Sequence, residues 1–205
     1  GYEYHFFVGV ICMAFLLFFI GYSINRNLSF LTYSLYLFAL LVYYGNRLLP
    51  MLNFYNDTVP SLFFYINQIG RMGILFTYYY FIYVFLDVPN SFKNVYRYAR
   101  YSLIFIATFS ILYTLITIVY PLLPWRYSIV NTFYILTALN GFILVVWMLC
   151  SKPNKIAIVT LLGTLLINIG SLVSIYNGNP TFLLKMVLVE TMVFFGIISY
   201  QNRIK

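Results

Sequence analysis

The 205 residues are 63% hydrophobic and 8% charged, with a mean hydropathy of +0.89 and a net charge of +8. A soluble domain of this length would lack the polar groups to cover its surface, so the composition excludes one and predicts an integral membrane protein. The basic residues sit mostly at the ends of apolar segments, and the 22 Tyr and 21 Phe far outnumber the 2 Trp, a pattern suited to lipid headgroups and not to nucleic acid.

Charges and prolines cut the chain into seven apolar segments, at about 5–24, 28–44, 61–86, 101–120, 127–150, 154–176 and 182–200. The first is uncharged and too long for a signal-peptide core. The second, FLTYSLYLFALLVYYGN, is rich in tyrosine and ends at a Gly45-Asn46-Arg47 turn. The third, from Ser61 to Leu86, carries Arg71 in its interior and stops at Asp87-Val88-Pro89. The fourth is closed by Pro121 and Pro124, the fifth by Ser151-Lys152-Pro153, and the sixth by Asn177-Gly178-Asn179-Pro180. All seven prolines fall between segments or at their edges, where a missing backbone donor costs least. The expected fold is therefore all-α: a single bundle of seven transmembrane helices filling residues 1–205.

An odd number of spans puts the termini on opposite sides. With the N-terminus outside, the inner side holds Arg26, Lys93, Arg97, Arg100, Lys152, Lys155, Arg203 and Lys205, and the outer side Arg47, Arg126 and Lys185. Eight against three predicts N-terminus out and C-terminus in by the positive-inside rule. Trp125 and Trp147 suit the two interfacial aromatic belts. Cys12 and Cys150, in different segments, predict no disulfide.

Chemistry-bearing motifs are scarce. His5 is the only histidine, so a His and Cys metal site lacks its parts. No GxSxG, HExxH, phosphate-binding glycine loop or paired carboxylates occur. A retinal site fails too, because Lys185 lies near the start of the last segment and Asp87 at the end of the third. The expectation is a non-enzymatic protein with no metal and no cofactor.

What remains is a set of polar residues within the apolar segments. Glu190 lies eight residues into the seventh and Arg71 ten into the third, roughly 12 and 15 Å deep. Asn67 and Gln68, Asn131, and Asn168 with Ser171 fall in the same outer half. Thr160, Thr164, Asn168 and Ser171 share one helical face, with Gly163 and Gly170 beside it. One reading is an interhelical polar network that holds the bundle together. The other makes Arg71 and Glu190 a switch, or part of a ligand pocket with Asn67, Asn131, Asn168 and Ser171. On the inner side Lys93, Arg97 and Arg100 follow i, i+4, i+7, one face if the segment is helical, suited to anionic headgroups or to a cytoplasmic output domain.

The stretches FFIGYSINRNLSFLTYSLYLFALLVYYGN and YYYFIYVFLDVPNSFKNVYRYAR resemble the bacterial seven-transmembrane receptors with diverse intracellular signalling modules, which have a short basic turn before a Tyr- and Leu-rich second span and an aromatic third span ending in a proline-bearing basic loop. The resemblance covers the whole chain and carries no catalytic residue. It implies a receptor domain of the bacterial cytoplasmic membrane, relaying an extracytoplasmic ligand signal from a sensor domain before Gly1 to an output domain after Lys205, such as a histidine kinase, nucleotide cyclase, phosphatase or DNA-binding module. The expected partners are membrane lipid and those two domains, with a homodimer compatible and nucleic acid excluded. The alternative is a small transporter or channel using the intramembrane polar cluster, disfavoured by the lack of an inverted repeat.

Overall fold

The computed structural model describes residues 2–45, 62–120, 125–178 and 181–204. These residues form α1 (Tyr2–Asn25), α2 (Leu28–Gly45), α3 (Leu62–Phe85), the short α4 (Val88–Ser91), α5 (Tyr96–Val119), α6 (Arg126–Cys150), α7 (Lys155–Asn177) and α8 (Thr181–Ile204). The predicted boundaries at Asn46-Arg47, Pro121, Pro124 and Asn179-Pro180 lie outside the described residues. Six of the helices, all but α3 and α4, are long and apolar enough to cross a membrane. At 24 residues α3 matches their length, but Asn67, Gln68, Arg71 and five tyrosines lower its hydropathy.

The chain divides into two compact units. The first holds Gly1–Val84 and Leu103–Pro124. Here α1 and α2 form a tight antiparallel pair because two residues suffice to reverse the chain: Arg26 takes a left-handed φ of 53°, its N–H bonds the Tyr22 carbonyl, and Asn27 Oδ1 accepts the Ser29 N–H at 2.9 Å as a helix N-cap. The Arg26 guanidinium lies 5.6 Å over the Tyr22 ring. The tyrosines of α2 face inward. Tyr33 is fully buried, its ring centroid 4.6 Å from Phe18 of α1 and 4.8 Å from Phe81 of α3, while Tyr36 packs at a tilt against Tyr78 at 5.0 Å. Lipid tails are as apolar as leucine, so these rings bind helices through close packing and edge-to-face geometry, each pair contributing about 0.5–1.5 kcal/mol beyond area burial.

The second unit holds Phe85–Ser102 and Trp125–Lys205. Within it α6 packs on α7 and α7 on α8. Leu184, Val187, Thr191, Phe194 and Ile198 form a buried stripe on α8 at spacings of three and four, and Phe194 meets Phe85 edge-on at 5.3 Å. The α6–α7 turn repeats the device of the first hairpin. Lys152 has a φ of 54°, and Asn154 Oδ1 caps α7 by accepting the Ala157 N–H at 2.8 Å.

The expected basic loop after the third span is an ordered structure. Asp87 turns the chain at a φ of 47°, and both its carboxylate oxygens accept from the Asn90 amide, at 3.1 and 3.0 Å. Val88, Phe92, Val95 and Ala99 are then buried, pinning the segment to the second unit. As a consequence α5 begins at Tyr96, five residues before the predicted boundary: hydropathy marks where a helix becomes apolar, and Tyr96–Arg100 are helical but polar.

Candidate functional site

The basic face around Lys93, Arg97 and Arg100 differs from its predicted form. Lys93 lies in the turn between α4 and α5, so only Arg97 and Arg100 share a helical face. Residues 93–95 turn before α5 starts, and burial of Phe92 and Val95 on either side of Lys93 accompanies that turn. All three side chains are exposed.

Of the intramembrane polar residues, Arg71 and Glu190 are each the tenth residue of their helix, about 14 Å along the axis from its start. Arg71 is half-buried and belongs to the first unit; Glu190 is buried, with 6% exposure, and belongs to the second. Each is engaged by a neighbouring group.

Asn67 acts on the end of α2. Its Nδ2 donates to the Tyr43 carbonyl at 3.3 Å, one of the last four carbonyls of that helix, which have no intrahelical donor. One turn further on, Gly70 lets α3 approach α2 closely: a Cβ there would lie 2.9 Å from Val42 Cγ1 and 3.0 Å from the Tyr43 backbone nitrogen. The two residues together clamp α3 onto α2 just ahead of Arg71. Gln68 is half-buried, and its Nε2 is buried with no hydrogen-bond partner among the described residues.

In the second unit Asn131 of α6, Asn168 and Ser171 of α7 and Glu190 of α8 fall on three helices packed in succession. Asn131, Asn168 and Ser171 are half-buried, and Asn168 Nδ2 is a buried donor with no hydrogen-bond partner among the described residues. The predicted polar face of α7 does point inward: Thr160, Thr164 and Gly170 are buried. Its two threonine hydroxyls donate to carbonyls of their own helix, Ile156 and Thr160, each at 2.9 Å. Gly163 has nothing within 4 Å of where its Cβ would stand, so it serves no close approach.

One constellation escaped the sequence. Tyr98 Oη donates to Asn140 Oδ1, Asn140 Nδ2 donates to Ser102 Oγ at 3.0 Å, and Ser102 Oγ donates back to the Tyr98 carbonyl at 2.9 Å. This closed triangle ties the first turns of α5 to the middle of α6, with Trp147 against the Tyr98 ring at 6.0 Å. Asn140, the second of two asparagines in the fifth segment, was the signal, since an amide amid apolar residues needs partners. Among the described residues, no three His, Cys, Asp or Glu side chains group together as metal ligands.

A run of apolar helices bearing few, specifically placed polar residues fits many membrane proteins; the comparison with protein families decides among them. The family model described as 7TM diverse intracellular signalling matches residues 2–200. The chain belongs to that family. It is thus a multi-pass membrane domain of the 7TM diverse intracellular signalling type, as the resemblance in its second and third segments implied. No curated protein and no solved structure matches it.

Proposed function

We propose that this 7TM diverse intracellular signalling domain is a non-enzymatic relay of the bacterial cytoplasmic membrane. It crosses seven times, with α3 as the seventh span beside the six apolar helices, and runs from an extracytoplasmic N-terminus to a cytoplasmic C-terminus. A ligand signal from outside, received through a sensor domain, shifts the packing of its helices and so moves the exit of α8 toward an output domain. The family match carries this reading. The placement of Asn67 and Arg71 in α3 and of Asn168 and Ser171 in α7 supports it, because they stand away from the helix ends nearest Lys93 and Lys155.

A relay of this kind is a population shift between two packings, and a ligand moves it only by binding one packing better. In this reading Arg71 and Glu190 are the groups whose surroundings differ between the two, because a charge at that depth is costly unless a partner or water meets it. Spin labels at Asn94→Cys and Arg203→Cys, in a chain with Cys12 and Cys150 replaced by serine and held in lipid nanodiscs, report the spacing within the second unit. The distance distribution is expected to have two populations. Arg71→Met and Glu190→Gln should each shift their ratio about fivefold or more, a coupling of about 1 kcal/mol. A single population that neither variant alters in a folded chain refutes the relay.

A further inference from the structure

Where α8 ends, the second unit leaves an open pocket of about 220 Å3. Buried Phe85, Leu86 and Phe92 form its apolar floor. Its rim is polar and comes from three separate elements: Ser91 of α4, Lys152 of the α6–α7 turn and Gln201 of α8. Lys152 is the one charged side chain in the lining, which contains no carboxylate. The acid nearest in sequence, Asp87, has both oxygens occupied by Asn90. Further cations flank the lining residues along the chain: Lys93 follows Phe92, Lys155 follows Asn154, and Arg203 stands two residues past Gln201.

The backbone at Lys152 is informative in its own right. A φ of 54° is where glycine would sit without steric cost, yet this turn carries a side chain that is long, cationic and placed at the rim of a pocket. The volume is below the 300–1,000 Å3 or so usual for drug-sized ligands, which suits a small group. We propose that this pocket binds a phosphate-bearing anion of headgroup size, with the Lys152 ammonium as counter-charge and the Ser91 hydroxyl and Gln201 amide as donors. An occupied pocket ties the last turns of α8 to α4 and to the α6–α7 turn, so it would set how firmly α8 is held whether or not the domain relays a ligand from outside.

The phosphate has two sources, a phospholipid headgroup or a soluble compound. Native mass spectrometry of the purified full chain in detergent, loaded with phosphatidylglycerol or phosphatidylcholine, tests the site. Phosphatidylglycerol should be retained preferentially, and Lys152→Gly and Lys152→Gln should each lower its retention roughly tenfold, about the loss of one charged hydrogen bond. Lys185→Gln, exposed and near the start of α8, outside the pocket, should leave retention unchanged. The glycine variant suits the left-handed backbone, so it removes the charge while the turn survives. Displacement of the lipid by millimolar glycerol 3-phosphate assigns the site to a soluble compound, and resistance to it assigns the site to lipid. Equal retention of the two lipids with no thermal shift from glycerol 3-phosphate overturns the proposal, and so does an equal loss in Lys185→Gln, which would mean diffuse surface charge.

Discussion

Two glycines that look alike in the sequence have opposite consequences. At Gly70 any side chain meets Val42 and the backbone of Tyr43, and backbone cannot swing aside. Gly70→Val should therefore cost about 1–3 kcal/mol as α3 is pushed off α2. At Gly163 a methyl meets nothing, so Gly163→Ala should stabilise α7 by about 0.5–1 kcal/mol through reduced backbone freedom in the unfolded chain. Unfolding of each variant in mixed detergent micelles measures both effects; a neutral Gly70→Val would contradict the clamp that Gly70 forms with Asn67. Sequence reading could not separate these positions, because a close approach depends on which neighbour lies opposite. It did find Asn67 and Glu190, since a polar group inside an apolar run is visible without knowing its partner.

At the scale of elements, the Tyr98, Asn140 and Ser102 triangle is a closed polar link between two helices of the second unit. Hydrogen bonds between membrane helices average about 0.6 kcal/mol and reach about 1.7. A double-mutant cycle of Tyr98→Phe with Asn140→Leu should give a coupling in that range, and strict additivity would mean the triangle holds nothing. The helices themselves were legible: the described limits of α2, α3, α6, α7 and α8 lie within a few residues of the predicted spans, because prolines and charges mark where an apolar run must leave lipid. The start of α5 and the fold of residues 87–95 were not, because the anchoring there is done by Val88, Phe92 and Val95. Three apolar residues in a basic stretch give no period from which burial could be read.

For the whole molecule, family membership is joined by the proposed relay to a path, signal in at one face and α8 out at the other. In the proposed relay the aromatic core of the first unit and the pinned turns of the second would answer a ligand by repacking between discrete states and not by gradual bending, because packed cores are bistable and not continuously deformable. All of this requires that the two ends of the chain lie in different compartments. Single cysteines at Glu3→Cys and Arg203→Cys, in a background lacking Cys12 and Cys150, can be probed in intact cells with a membrane-impermeant maleimide. Labelling of position 3 alone, with position 203 reacting only after the membrane is opened, is the predicted result; labelling of both positions from outside, or of neither, contradicts the account.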